Sequence, residues 1–286
     1  MGSSIDRLLP LHPFGVEVDC DLSRPLDAEG EAALRALLYR EKLLVFRDQA
    51  LGEADQLRLL GQFGGVLSAD EDNRVISVDG DLGNGPLAYH SDLMFIDEPY
   101  RVLSLFAIDV DVDSGTATRF VNGVRAAAHM PAALRAEVEG LTATSAMPLQ
   151  QTHRDLPFET PTFLPQKRQP VIIDHPVTGE PVLFVTELQT VRIEGLAQAE
   201  SDALLGRLFA ALYDPAEVYE HVWRPGDFLL WDNLALQHGR ADQAATRRRR
   251  LRRIVGTEKS FFAQHPEFDM NDPKIVAWNK GGKLMV

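Results

Sequence analysis

Apolar positions recur along this chain at two periods. Leu34, Leu37 and Leu38 share one face of a 3.6-residue repeat, and so do Leu57, Leu60 and Phe63. The most regular case is Leu204, Leu205, Leu208, Phe209 and Leu212. These stretches predict helices within 28–63 and over 201–213, with the buried run at 43–46 forming a strand inside the first of them. Elsewhere short apolar runs dominate, at 75–78, 102–110, 171–173, 182–185, 228–231 and 251–255. Turn signals such as Pro176-Val177-Thr178-Gly179 and Pro225-Gly226-Asp227 separate several of them. Many short strands with occasional helices predict a mainly β chain, a sandwich or barrel with helices packed outside. The stretch 147–169 is polar, contains proline and has no period, which fits an ordered loop or a lid over a site.

Composition narrows the function more than the fold. At 286 residues and 45% hydrophobic the chain can bury a sizeable core as one large domain or two small ones. A net charge of -13 argues against a nucleic-acid or anionic-membrane partner. Cys20 is the only cysteine, so no intramolecular disulfide or sulfur-ligated zinc cluster can form, and the chain reads as reduced and cytoplasmic. The first six residues lack a basic start and an apolar core, so no signal peptide is evident. No apolar run reaches the length of a membrane span. A homo-oligomer is compatible with this composition.

The chemistry concentrates in two places. In a strand, residues i and i+2 point to the same side, so His90-Ser91-Asp92 can aim an imidazole and a carboxylate at one ion. His238, after the buried-looking strand at 228–231 and a turn, supplies a second imidazole from a neighbouring strand. Two histidines and one carboxylate are the ligand set that holds non-haem Fe(II) and leaves its opposite face open. A His-x-Asp triplet alone is weak, because most such triplets are surface loops or local hydrogen bonds. The other histidines, His12, His129, His153, His175, His221 and His265, have no such companion, and His175 reads as a turn residue. The second place is the run Arg247 to Arg253. Period two sets Arg249, Leu251 and Arg253 on one face and Arg248, Arg250 and Arg252 on the other. An inward arginine face is costly unless it meets anions, and a guanidinium fork grips a carboxylate in two parallel hydrogen bonds.

At this point the chain resembles the Fe(II)- and 2-oxoglutarate-dependent dioxygenases of the taurine and 2,4-dichlorophenoxyacetate type. Four pieces in order carry the resemblance: His90-Ser91-Asp92; Gly115-Thr116-Ala117-Thr118-Arg119-Phe120; the hairpin from His175-Pro176-Val177-Thr178-Gly179 into Leu183-Phe184-Val185; and Trp231-Asp232-Asn233 with His238, Arg249 and Arg253. Arg249 and Arg253 follow His238 by 11 and 15 residues, as in the family. The resemblance implies a double-stranded β-helix (jelly-roll) core in a single domain over 1–286. Its helices would come from 28–63 and 201–213, and His238 would lie close to His90 and Asp92 across the barrel mouth. It also implies that His90, Asp92 and His238 bind iron and that Arg249 with the Thr118 hydroxyl takes the distal carboxylate of 2-oxoglutarate. Arg253 would lie where relatives hold an anionic group of the main substrate, or would support Arg249 or the iron site. O2 and a small organic molecule would be the other reactants, with succinate and CO2 released and hydroxylation the default outcome. Halogenation is disfavoured, because Asp92 fills the position that related halogenases leave without a carboxylate.

The chain departs from the family at Tyr89, where tryptophan is frequent, at Gly115-Thr116-Ala117, and at Leu234, where arginine is common. The segment 66–71 carries no histidine of the kind that taurine dioxygenases use for the sulfonate, so taurine is a disfavoured substrate. Two other readings compete. A metal-dependent hydrolase or isomerase would use the same ligands without oxygen, but has no need of the Arg249 and Thr118 pair. A non-catalytic jelly-roll binding protein predicts a broken triad, and this triad is intact.

Overall fold

The computed structural model describes residues 5, 7–67, 74–77, 86–111, 117–148, 156–241, 248–269 and 271–279. Some stretches singled out above fall outside them: 68–71, Val78, Gly115, Thr116, His153 with part of the segment around it, and Arg247. In chain order the strands are β1 (Arg7–Pro10), β2 (Val16–Asp19), β3 (Leu43–Phe46), β4 (Arg74–Ser77), β5 (Leu87–His90), β6 (Val102–Val110), β7 (Ala117–Asn122) and β8 (Thr142–Ala146). They continue with β9 (Gln166–Pro170), β10 (Ile172–Asp174), β11 (Pro181–Leu183), β12 (Thr190–Ile193), β13 (Tyr219–Val222), β14 (Phe228–Asp232), β15 (Leu236–Arg240) and β16 (Arg249–Gly256). The helices are α1 (Ala28–Glu41), α2 (Glu53–Leu60), α3 (Gly123–His129), α4 (Ala132–Val138), α5 (Gln198–Leu212), α6 (Phe261–Gln264) and α7 (Pro273–Asn279).

Two sheets make the jelly-roll core. The larger has the order β1-β2-β3-β14-β6-β16-β4 and the smaller β13-β7-β15-β5. All their pairings are antiparallel except β2 with β3. Period two assigns the faces of the larger sheet. Leu43, Val45, Leu103, Leu105, Leu229, Trp231, Leu251 and Val255 pack toward Phe120, Tyr219 and Leu236 of the smaller sheet. Their neighbours Leu44, Phe46, Val102, Phe106, Phe228, Leu230 and Ile254 turn the other way and are covered by Leu34, Leu37 and Leu38 of α1 and Leu59 and Leu60 of α2. The central strands β3 and β14 are thus buried on both sides, which is why they read as continuous apolar runs rather than alternating ones.

The helices form where their ends are satisfied. Asp27 caps α1 by accepting from the Gly30 N–H at 2.8 Å. The helix ends on Lys42 in the left-handed region at φ 67°, with its N–H returned to Leu38 and its ammonium on Tyr39 O and Glu180. The regular repeat at 204–212 is the buried face of α5, which packs with α3 and α4 on Val171, Leu183, Val185 and Ile193.

One irregularity matters for the site. Along β16, Arg250 pairs with Asp109 but Leu251 pairs with Ala107, so β6 carries an extra residue at Ile108. This bulge brings Val110 back to the inner face beside Leu105 and Ala107 while β16 keeps strict alternation. Arg249, Leu251, Arg253 and Val255 are therefore buried inward. Arg250 is exposed, and Arg252 lies over the Phe106 ring and donates to Gln56 at 2.7 Å on the outer face. Among the described residues no helix is long and apolar enough to cross a membrane.

The two-layer packing makes a prediction. Leu230→Ala removes a fully buried side chain from the helix-covered face, and such truncations cost about 2–5 kcal/mol. Urea unfolding should show that loss while metal binding on the opposite face is retained; a loss under about 1 kcal/mol would contradict the layer assignment.

Candidate active site

His90 is the last residue of β5, and Asp92 already stands in the turn that follows. The strand-period argument therefore holds for His90 but not for Asp92. Asn233 brings the carboxylate back. Its Oδ1 accepts the Asp92 N–H at 2.9 Å, and its Nδ2 donates to Asp92 O at 3.0 Å and to Tyr100 O at 2.7 Å. The Ser91 hydroxyl donates to Asn233 O at 2.5 Å. Leu93, the next residue, sits at φ 59°, which turns the chain sharply away from the site. His238 lies in the middle of β15, directly opposite His90 on β5 and Phe120 on β7. It reaches the site from the adjacent paired strand, not from across the barrel mouth.

The three side chains converge. His90 Nε2 lies 3.2 Å and His238 Nε2 3.6 Å from Asp92 Oδ1. One ligand atom from each falls within 4.8 Å of the others, the single such cluster among the described residues. His90 Nδ1 donates to Ala88 O at 2.9 Å, which leaves the Nε2 lone pair for an ion. His238 is pushed down to about 3, first by burial and then by the His90 imidazole and the Arg253 guanidinium, so it is the neutral, ligating form. Burial alone would raise the Asp92 carboxyl, but the Arg253 guanidinium beside it holds it well below its ordinary range. Two imidazoles and an ionised carboxylate, buried and convergent, fit a divalent iron.

Behind this cluster, Trp231-Asp232-Asn233 acts through its polar members. Asp232 Oδ1 accepts the Leu234 and Ala235 N–H groups at 3.1 and 3.2 Å and so shapes the turn from β14 to β15. Its Oδ2 lies 2.9 Å from His175 Nε2, and His175 Nδ1 accepts from Val177 and Thr178. His175 is thus a turn residue that also fastens its hairpin to the Asp232 turn. Only the contact with Asp232 lay beyond sequence reasoning.

The inner face of β16 holds two different arginines. Arg253 places its guanidinium on Asp92 Oδ2 and over the Tyr100 ring, 5.5 Å from its centroid. Arg249 is buried and reaches Thr118 Oγ1 with Nη2 at 3.4 Å, while its Nε has no hydrogen-bond partner. Burial and the nearby charge of Arg240 push Arg249 down to about 9, and among the described residues no carboxylate pairs with it. A buried guanidinium without a carboxylate is costly, and an anion beside it would offset that cost. Thr118 lies on the inner face of β7, two residues before Phe120, whose ring stands 6.3 Å from that of His238. Thr118 also accepts a hydrogen bond from Trp223 Nε1 at 3.0 Å. Sequence reasoning passed over Trp223, although Tyr219, His221 and Trp223 alternate as a strand face should. It also left His221 without a companion; the fold gives it Asp227, 2.9 Å from Nε2, and the Tyr219 hydroxyl, 3.3 Å from Nδ1.

The depressed His238 predicts how the metal-free protein responds to acid. An imidazole held below its ordinary 6.5 takes up a proton only on unfolding, so its stability contribution is complete above about pH 6.5 and declines toward about pH 3. The slope reaches about 1.4 kcal/mol per pH unit. His221, pushed down by its own burial, acts in the same direction. Urea unfolding from pH 7 to 4 should show a shallower decline for His238→Gln than for the wild type, and equal slopes would mean that His238 protonates freely in the fold.

Comparison with known proteins agrees with this geometry. The family described as "Taurine catabolism dioxygenase TauD, TfdA family" matches residues 7–255. An alpha-ketoglutarate-dependent 2,4-dichlorophenoxyacetate dioxygenase of Cupriavidus pinatubonensis is 29% identical over 86% of this chain and 96% of its own. An alpha-ketoglutarate-dependent sulfate ester dioxygenase of Pseudomonas putida is 29% identical over 86% and 89%. Among solved structures, a taurine dioxygenase from Burkholderia xenovorans superposes with a TM-score of 0.74 at 28% identity, covering 88% of this chain and 90% of that one. The enzyme AAD-2, solved with Mn(II) and N-oxalylglycine, superposes with a TM-score of 0.74 at 25% identity over 91% and 100%. The chain belongs to the TauD/TfdA family, and it is a dioxygenase dependent on Fe(II) and 2-oxoglutarate.

Proposed function

We propose that this enzyme hydroxylates a small organic molecule, with His90, Asp92 and His238 holding Fe(II) and Arg249 and Thr118 holding the distal carboxylate of 2-oxoglutarate. The observation that carries the reading is Arg249, a buried guanidinium with no carboxylate partner among the described residues, on the same lining as the His-Asp-His cluster. A hydrolase, an isomerase or a vestigial binding protein gives no reason to maintain that cation at the cost of its burial.

Bound iron supplies the oxygen activation and the oxidising power that substrate hydroxylation needs; the protein's part is placement. His90 and His238 present Nε2 atoms, that of His238 held neutral by its burial, and Arg253 keeps Asp92 ionised before an ion arrives. Arg249 and the Thr118 hydroxyl fix the far end of the co-substrate, so its 2-oxo acid end points back along the inner face toward the triad. The apolar lining of Phe120, Trp231 and Leu236 keeps water from the reacting groups.

For the substrate, three of the relatives act by name on 2,4-dichlorophenoxyacetate, (S)-phenoxypropionate and a sulfate ester, compounds that carry an anionic group, while others are named pentalenolactone F synthases. The same reading extends to this chain, with Arg253 serving both partners. Arg253 lies on the inner face of β16 beside Asp92, at the lining that an anionic substrate would enter. The enzyme is read as a single domain over 1–286 that works in the cytoplasm, where its lone buried Cys20 stays reduced.

Anaerobic titration with Fe(II) should give one site per chain, and Ala at His90, Asp92 or His238 should abolish turnover without unfolding the protein. Removal of a charged hydrogen-bond partner costs about 1.5–3 kcal/mol, so Arg249→Ala should weaken 2-oxoglutarate binding by about ten- to a hundredfold or more. Thr118→Val should cost less, because it removes a neutral hydroxyl. Unchanged affinity in Arg249→Ala would move the distal carboxylate to another cation. Screening aryloxyacids, sulfate esters and other carboxylates for substrate-dependent succinate release identifies the substrate class. Arg253→Lys should then raise KM for that substrate more than for 2-oxoglutarate, since the point charge survives and the fork does not.

A further inference from the structure

We infer that Trp223 is a positioning residue for the co-substrate, acting through Thr118: its indole N–H fixes the Thr118 hydroxyl as a donor to the bound carboxylate. The inference rests on the assignment of Thr118 and Arg249 to 2-oxoglutarate made above. It follows from counting hydrogen-bond valences. An indole nitrogen can only donate, so at 3.0 Å Thr118 Oγ1 must be the acceptor from Trp223. Arg249 Nη2, also a donor without acceptor capacity, faces the same oxygen at 3.4 Å. A hydroxyl has two acceptor lone pairs and one proton. With both lone pairs turned to donors, the proton is the one valence left, and no acceptor for it occurs among the described residues. The pocket therefore offers the Thr118 O–H and the unpartnered Arg249 Nε–H together, with no acceptor beside them. Only a ligand end that accepts everywhere fits, and an ionised carboxylate is such an end.

Trp223 is held rigidly enough to do this. Its side chain is buried, and the His221 ring meets it edge-on at 4.7 Å between centroids. His221 is fixed in turn by Asp227, whose Oδ2 also receives Arg47 Nη1 at 2.6 Å and the Arg224 N–H at 2.8 Å. The register sets His221 directly opposite Thr118 on β13 and β7, so the whole chain of contacts hangs on paired strands. Without the indole N–H, one lone pair of Thr118 is vacated and its hydroxyl is free to rotate. It then spends part of its time aimed away from the ligand.

The test is a titration of the Mn(II)-loaded protein with two ligands. These are 2-oxoglutarate and 2-oxopentanoate, which keeps the 2-oxo acid head and lacks the distal carboxylate. Trp223→Phe keeps the ring and deletes the N–H; it should weaken 2-oxoglutarate by about three- to tenfold and leave 2-oxopentanoate unchanged. Trp223→Tyr, whose hydroxyl is not where the indole nitrogen was, should show the same selectivity and serves if the Phe variant does not fold. In the Thr118→Val background the Trp223→Phe change should cost little more, because the two act as one unit. Equal losses for both ligands, no loss, or full additivity with Thr118→Val would overturn the inference. Arg249→Ala separates the two levels: if it leaves 2-oxoglutarate binding intact, the pocket assignment itself fails. If it weakens binding while Trp223→Phe does not, only the role of Trp223 falls.

Discussion

Asn233 couples the two halves of the metal cluster. Its side chain pins both backbone groups of Asp92, and its backbone belongs to the turn that launches β15 and His238. Asp92 lies beyond the end of β5, where no strand partner fixes its direction. The amide replaces the missing ladder with two hydrogen bonds, and a third to Tyr100 O holds the amide itself in place. The Asp232 turn and its contact with His175 fix the same launch from the other side. Metal ligands set on separate segments keep a productive geometry only when their surroundings hold them, and here one buried amide does so for both segments.

The charges around this cluster form a sequence. Asp92 is buried and stays ionised because the Arg253 guanidinium faces it. Arg253 is in turn tolerable on an inner face because Asp92 and the Tyr100 ring receive it. Arg249, one inner-face step beyond Leu251, has no such counterpart among the described residues, and its burial beside Arg240 pushes its proton affinity down. The contrast sets apart two residues of the same type on the same strand face. One neutralises a fixed carboxylate; the other, on the proposed reading, receives the distal carboxylate of the co-substrate, which would relieve the cost of its burial.

Much of this was legible in the sequence, and the parts that were not have specific causes. The alternation of Arg249, Leu251 and Arg253 predicted the inner face of β16 correctly, because alternation survives on the strand opposite a bulge. The bulge itself, at Ile108, left no mark, since the run Val102 to Val110 is largely apolar and the one charged residue near its end, Asp109, does not reveal an extra residue. The runs at 43–46 and 228–231 were legible for the same reason that their pairing was not: a strand buried on both faces carries no phase information. β1 and β2 were missed because they are short and, for β1, exposed along its length. The triplet His90-Ser91-Asp92 named residues that the fold does bring together with His238, but for a partly wrong reason, because the strand ends between them. Roles that depend on partners distant in sequence, such as Asn233 on Asp92, His175 on Asp232 and Trp223 on Thr118, have no local signature.

The placement of the chemistry explains how relatives with such different named substrates can share it. His90, His238, Thr118 and Arg249 sit on β5, β15, β7 and β16, each hydrogen-bonded to neighbours within its sheet. Strand pairing fixes the spacing of His90, His238 and Thr118 within the smaller sheet, and the packing of the two sheets sets Arg249 against them. On the proposed reading the iron and co-substrate ends of the reaction rest on the two sheets and on the Asn233-held turn that carries Asp92. The substrate end is free to vary in the loops, which carry no register and accept change at little cost to the core. In this chain Tyr89, where related sequences often have tryptophan, shows the same division. It precedes His90 on β5 and its side chain turns outward, stacking on Tyr213 of the segment after α5 at 4.6 Å. A change of aromatic type there is absorbed by the helical layer, and the strand still delivers His90 opposite His238.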